Sequence, residues 1–570
     1  MKVLHRIALL LALAAWAFAD NKGQGQTPGH NDNYNSKVGW DLKQQHQAAP
    51  TGMVSAVIQF NAAPNNSVLN STLKLLGAQG GAQKKAFQKF QGGVFTVPAS
   101  VLDALADSPL VKYISIDRVI KSHLDLTTAT VGADIARQYG WTGKGIGVAV
   151  LDSGVYASHG DLKSATSSSR VVYSESFIGT SNSGDGYGHG THVAGIIGGN
   201  GTSSKGGTRT FYGVAPDVNI VDLQVLDQNG MGSDSSVIAG IERAVALKDT
   251  YNIKVMNLSL GRPVYESFAT DPLCQAVEMA WKAGIVVVVS AGNHGRDNQA
   301  GNYGYGTITS PANDPYVITV GAMKTEGTAS RADDLIASYS SKGPTLFDHF
   351  VKPDLLAPGN GVSSLRVPGS ALDNMYPANQ VNPASYGKIG SAAYFTMSGT
   401  SMAAPVVSGA AALLLQKDPN LTPDQVKARL MKTAAKIFPV LSTTTDLISG
   451  LVFTSHYDIF TVGAGYLDIY AALNNYERPA GRAVSLSAVY NAASGKFTIS
   501  PLSVAAGESV AWGESVAWGE SVVWPSSVFV AGTSVAWGES VAWGESVAWG
   551  ESVAWGESVA WGESVGRGEK

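Results

Sequence analysis

Between residues 145 and about 473 the chain alternates two textures that few folds accommodate together. Residues 147–151, 219–226 and 284–289 form short runs that are mostly apolar. Strands buried on both faces read this way. Between such runs, Val237, Ile238, Ile241, Ala244 and Val245 mark one face of a helix. Repeated strand–helix alternation predicts an α/β fold, a three-layer αβα arrangement with a mostly parallel sheet. In such sheets reactive groups gather at the carboxyl ends of the strands.

The rest of the 570 residues divides by composition. Lys2, His5 and Arg6, the apolar run 7–16 and Ala17-Phe18-Ala19 predict a signal peptide over 1–19. The run is short of the roughly 20 residues that span a bilayer, so the expected protein is secreted and extracellular, free or associated with the cell surface. Residues 20–50, rich in Gly, Gln, Asn and His, read as a flexible linker. Strand patterns at 54–60, 93–97 and 111–116 and helical patterns at 67–76 and 100–107 predict a small α+β module over 51–125. A linker follows the large domain at 481–508. From 509 to 570 the hexapeptide Ser-Val-Ala-Trp-Gly-Glu recurs, with Trp512, Trp518 and Trp524 in period and Trp537 to Trp561 resuming it after a phase shift. Both short stacked β segments and a low-complexity chain fit this tail. A net charge of −4 with scattered charges provides no basic stripe, so no nucleic-acid partner is expected. Cys274 is the only cysteine, which excludes an internal disulfide; its apolar helical surroundings suggest a buried, inert thiol.

Four polar sites stand out. Asp152 ends an apolar strand and opens the turn Asp152-Ser153-Gly154. His189 lies between glycines in Gly188-His189-Gly190-Thr191-His192. Its spacing from His192 is not that of a zinc-binding His-Glu-x-x-His helix, and His192 reads as a packed or supporting histidine. Ser401 begins an apolar helix in Gly399-Thr400-Ser401-Met402-Ala403-Ala404-Pro405, where backbone N–H groups favour an oxyanion. Asn293 follows Ala291-Gly292 at a strand end. Singly, these read as a turn aspartate, a capping serine and a turn asparagine. Together they supply a nucleophile, a base, its orienting group and an oxyanion donor.

In the order Asp, His, Ser, and in Val-Leu-Asp-Ser-Gly, His-Gly-Thr-His-Val-Ala-Gly and Gly-Thr-Ser-Met-Ala-Ala-Pro, residues 140–475 resemble the subtilisin-like serine proteases. The resemblance implies a subtilisin-like catalytic domain over 126–480. In it Asp152 orients His189, His189 acts as base and acid, Ser401 attacks, and Asn293 with the Ser401 N–H holds the oxyanion. It implies substrate binding by Ser259, Leu260 and Gly261 and by Ala291 and Gly292, small residues that leave room for a large apolar side chain. Arg262 replaces the family's second glycine, and the insertion from Ser363 to Lys388 bears on the shape of the cleft. Residues 51–125 resemble the family's ferredoxin-like inhibitory propeptide, so the chain's own propeptide is an expected intramolecular inhibitor, removed by self-cleavage between Ile120 and Thr130.

No cofactor is implied for catalysis. Asp161 stands where the family often has a calcium ligand, but the loop 199–209 does not match, and the metal is left unassigned. Protein or peptide substrates are the expected partners, with a cell surface or glycan as a contact for the tail. The competing reading is a surface or adhesive repeat protein whose protease domain is inactive. A Ser-Glu-Asp carboxyl-type peptidase is disfavoured by His189.

Overall fold

The computed structural model describes residues 32–39, 42–43, 46–47, 50–61, 74, 81–87, 91–116, 124–179, 184–298, 302–446, 451–491, 496–500, 523–524 and 535–536. The chain forms two compact units, Met1–Lys121 and Ser122–Lys570.

In the first unit, strands β1 (Met53–Phe60), β2 (Ala82–Phe87), β3 (Gly92–Pro98) and β4 (Val111–Ile116) make an antiparallel sheet in the order β2-β3-β1-β4. Val54, Ala56, Ile58 and Phe60 alternate inward along β1, the period of two that a half-buried strand requires. They share a core with Leu102 and Leu105 of the helix Leu102–Asp107. The linker expected over 20–50 needs correction. Residues Asp32–Lys37 are helical, and Tyr34, Val38 and Leu42 are buried in the same core. Their spacing of four is that of a helical stripe, hidden among polar neighbours. Most of the helix expected at 67–76, the signal peptide and the repeat tail lie outside the described residues, apart from Val523–Trp524 pairing with Val535–Ala536.

The second unit is built on β5 (Gly147–Asp152), β6 (Val171–Ser176), β7 (Asn219–Gln224), β8 (Ile253–Leu258), β9 (Val286–Ser290), β10 (Ile318–Lys324) and β11 (Leu335–Ile336), in the order β11-β10-β9-β8-β5-β7-β6. A further strand, β12 (Leu355–Pro358), also pairs with β10, and every pairing except β10–β11 is parallel. All of β5 and β9 is buried, because helices cover both faces. Adjacent residues of β5 reveal the two layers. A Cβ at Gly240, in α2 (Asp234–Ala246), would stand 3.3 Å from the Leu151 side chain. A Cβ at Gly190, in α1 (His189–Gly198), would stand 3.0 Å from the Asp152 Cβ. Successive strand side chains point to opposite faces, so α1 and α2 lie on opposite sides of the sheet. Helix α3 (Pro272–Lys282) packs beside α2, and α4 (Thr400–Lys417) packs beside α1. Every residue of α4 from Met402 to Leu415 is buried, as a helix apolar on all sides must be.

The body of this unit extends past the expected boundary at 480. Ser485 N donates to Pro315 O, Val351 N to Leu486 O and Ala488 N to His349 O. Ser485 Oγ donates to Asp354 Oδ1 at 2.6 Å. Asp354 lies between Lys352 (2.6 Å) and Lys427 (3.2 Å), all with fully buried side chains. The expected linker at 481–508 therefore begins as part of the core, with Ala483 and Leu486 buried, and then forms the hairpin Ser487–Asn491 with Lys496–Ser500. Backbone pairing, Ser485 and the buried side chains of Val484, Leu486 and Ala488 make this attachment, and those alternating apolar positions were the available sequence signal. Among the described residues no helix is long and apolar enough to cross a membrane.

Candidate active site

Asp152 ends β5 beside the first turn of α1. His189 Nδ1 lies 2.7 Å from Asp152 Oδ1, which also accepts from Ser153 N at 2.8 Å. An Nδ1–H donated to the carboxylate leaves Nε2 as the basic nitrogen. The two side chains can approach because position 190 is glycine: a Cβ there would stand 2.3 Å from Gly154 O. Burial pushes the His189 pKa down. The charge and hydrogen bond of Asp152, with the charge of Asp185, outweigh it and leave the pKa raised.

Asp185 was not singled out from the sequence. Its Oδ1 accepts from Gly188 N (2.6 Å) and Ser153 Oγ (2.8 Å), and its Oδ2 accepts from Thr191 N (2.8 Å). Ser153 Oγ in turn accepts from Gly190 N at 3.0 Å. One buried carboxylate thus caps the helix that begins at His189 and ties it to the turn after Asp152. An aspartate just ahead of a helix start was the available sequence signal.

Ser401 is the second residue of α4. Its hydroxyl donates to Ser259 O at 3.2 Å, and Ser259 Oγ donates to Ser401 O at 2.8 Å. Behind them Asn257 Nδ2 donates to Ser259 Oγ (2.9 Å) and Ser408 Oγ donates to Asn257 Oδ1 (2.8 Å). Residues 257 and 259 share one side of an extended segment, and residues 401 and 408 lie two turns apart on one helix face. Periodicity therefore lines up this polar strip in an otherwise apolar contact. Asn293 Oδ1 accepts from Thr400 N at 2.9 Å and Thr400 Oγ1 at 3.1 Å. That fixes the amide with its oxygen on the helix start and frees Nδ2 to donate elsewhere.

Ser259, Leu260 and Gly261 line a cleft of about 440 Å³ together with His189 and Tyr187. Ala291 is buried and Gly292 N donates to Thr400 Oγ1 at 3.2 Å, so both belong to the wall behind the serine. The expected room for a large side chain is cut down by Thr309. A Cβ on Gly261 would stand 2.6 Å from Thr309 Oγ1, and one on Gly292 would stand 2.9 Å from Thr309 Cγ2. One threonine therefore touches both glycine walls, a contact no local motif announces. The insertion after Ser363 folds against the His189 loop, with Ala371 N donating to Gly186 O and Leu372 N to Tyr187 O.

The calcium expectation at Asp161 does not fit the residues present. Asp161 is fully buried; Oδ2 accepts from Tyr394 OH at 2.7 Å and Oδ1 from Ser203 N at 2.7 Å. Hydrogen bonds from the protein occupy the oxygens a cation would need. Among the described residues no cluster of His, Cys, Asp and Glu could hold a metal. His192 Nε2 lies within hydrogen-bond reach of two carbonyls, Val362 O and Phe395 O, and burial together with the His189 charge pushes its pKa down to about 3. It is a neutral packing group. The Cys274 thiol is buried, its pKa raised by burial and nearby carboxylates, with Sγ 3.3 Å from Asn313 Oδ1.

The family model described as the subtilase family matches residues 143–465. Serine protease AprX of Bacillus subtilis (strain 168) is 39% identical over 341 residues, covering 58% of this chain and 71% of that protein. Subtilisin E of the same organism is 33% identical, covering 65% of this chain and 82% of its own length. A protein named extracellular serine proteinase, from Thermus sp. (strain Rt41A), is 34% identical, covering 63% and 75%. With its sheet, cleft and polar constellation on one catalytic body, the chain belongs to the subtilase family and is a serine endopeptidase.

Proposed function

We propose that Asp152, His189 and Ser401 form the catalytic triad, and that the protein is a secreted, self-processing zymogen of broad, apolar-leaning specificity. The observation that carries the triad is the 2.7 Å contact between His189 Nδ1 and Asp152 Oδ1. It holds the ring in the tautomer that can accept a proton at Nε2. The Ser401 hydroxyl swings from Ser259 O to His189 Nε2, gives up its proton, and Oγ bonds to the substrate carbonyl carbon. The oxyanion takes hydrogen bonds from Asn293 Nδ2 and the Ser401 N–H at the positive end of α4. The imidazolium, stabilised by Asp152, protonates the leaving amine as the C–N bond breaks. Water then attacks the acyl-enzyme, giving its proton to Nε2, and the serine regains a proton as the acid product leaves.

Three features support the zymogen reading. A separate compact unit precedes the catalytic one. The division at Lys121/Ser122 falls within the window 120–130 for self-cleavage. Parallel sheets fold through non-local contacts and profit from an assisting segment. Export is supported by residues 1–19 and by the printed name of the Thermus relative.

The decisive experiment compares wild type with Ser401→Ala. The expected result is a wild type that digests casein, reacts with a serine-directed sulfonylating reagent and trims its own N-terminus, beside a variant that stays full-length and inert. A wild type that is folded yet inert and full-length would reverse the reading toward a repeat protein carrying an inactive domain. A mature N-terminus well outside 120–130 would sink the processing claim alone.

A further inference from the structure

The cleft beside His189 carries a charged pair that the peptide-bond chemistry does not use. Its lining is apolar at Leu226, Val237, Leu260 and Leu273, but Arg262 and Asp234 also border it. Arg262 follows directly on Ser259–Gly261. Its Nε lies 2.9 and 3.0 Å from the two carboxylate oxygens of Asp234. Its Nη2 lies 2.9 Å from Asp234 Oδ2 and donates to Asp271 Oδ1 at 2.9 Å, and Nη1 donates to Pro263 O at 3.2 Å. Three of the five guanidinium N–H groups donate hydrogen bonds, and the Nη2 contact with Asp234 is an ion pair. The Asp271 side chain is fully buried behind the pair and also accepts from Leu273 N and Ser310 Oγ.

Two carboxylates share one guanidinium, so this corner keeps a net negative charge. The exposed member is also the anion: the Asp234 side chain is 42% accessible against 24% for Arg262. Asp227 stands on the adjoining turn, where it accepts from Asn229 N and Met231 N. The single Nε–H of Arg262 is shared between both oxygens of Asp234 and Nη2 adds an ion pair, so the carboxylate is presented with less loss of side-chain freedom on binding.

Resting on the protease reading, we infer that Asp234, fixed by Arg262, is a specificity-determining residue. It makes this end of the cleft favour a lysine or arginine, and disfavour an aspartate or glutamate, in the substrate residue that reaches it on the acyl side of the scissile bond. The contact is equally present before and during reaction, so it acts on KM with little change in kcat.

The test uses the self-processed enzyme and peptide sets identical except for Lys, Leu or Glu at each acyl-side position in turn. At one position the wild type is expected to favour Lys over Glu by about three- to tenfold in kcat/KM at low salt, a ratio that shrinks as salt is added. Asp234→Asn is expected to bring the Lys-to-Glu ratio near one, and Asp234→Glu to restore part of it. Equal cleavage of Lys and Glu peptides throughout, a preference for Glu, or a Lys preference that survives Asp234→Asn would overturn the inference. A wild type that cleaves no peptide would overturn the protease reading and this inference with it.

Discussion

Ser259 and Ser401 hold each other by two reciprocal hydrogen bonds, each side chain donating to the other's backbone carbonyl at 2.8 and 3.2 Å. The backbone of Ser401, the proposed nucleophile, is thus fixed by the residue that also borders the cleft, while its hydroxyl rests against a neutral acceptor. Ser259→Ala breaks the first bond and strands Asn257 Nδ2. Its expected effects are a loss of stability of about 1–3 kcal/mol and a fall in kcat of about tenfold, roughly 1.4 kcal/mol in the barrier. KM should stay within about twofold. Ser259→Thr, which retains the hydroxyl, should recover most of the loss. Steady-state kinetics with chemical denaturation checks both.

Asn293→Leu keeps the bulk of the side chain and removes the proposed oxyanion donor. Turnover should fall by about 10²–10³ with KM nearly unchanged. That magnitude is the one established for the oxyanion asparagine of this family rather than one read from the present geometry. A fall in stability alone would point instead to the hydrogen bonds that Asn293 makes with Thr400.

Catalysis needs His189 neutral, so kcat/KM should rise as pH rises through its pKa. Because that pKa is raised, the acid limb should lie above that of an ordinary histidine. Asp185→Asn deletes one of the charges that raise it. The limb should move to lower pH, which a pH–rate profile across the neutral range would reveal. An unmoved limb would leave Asp185 as a helix cap alone.

Tyr394→Phe removes a donor from the buried carboxylate of Asp161. The expected cost is about 1–3 kcal/mol, seen as a lower melting temperature. Asp161→Asn should leave the response of the melting temperature to added calcium or a chelator the same as in the wild type. A calcium response that disappears with this variant would restore the metal reading at Asp161.

Thr309→Gly should open the space between Gly261 and Gly292. Substrates with a large aromatic residue on the acyl side of the cut should gain several-fold in kcat/KM relative to those with alanine, a modest gain typical of pocket enlargement. A peptide panel compared with the wild type measures the ratio.

Much of the fold could be read from the chain because the strands are local objects. The all-apolar runs at 147–151 and 284–289 match strands buried on both faces, and the alternation at 54–60 matches β1. The candidate triad was legible for a related reason: each member occupies a short glycine-rich motif at a strand or helix end. What escaped depends on distant partners. Asp185 acquires its role only when Ser153 is brought to it, and Thr309 only when two glycines from separate segments close on it. The Asn257–Ser408 bond joins positions 151 residues apart. The helix at Asp32–Lys37 was missed because Tyr34, and Val38 and Leu42 beyond its end, are buried side chains diluted by polar residues.

The strap at 483–488, held by Ser485 on Asp354 and by backbone pairing on both sides, separates two parts of the gene that can evolve at different speeds. Upstream of it, a lost residue removes a tie from the enzyme's core. Downstream, near-identical hexapeptide units invite unequal recombination, which adds or deletes whole copies in frame. Repeat number can therefore drift between strains while the catalytic body is inherited intact.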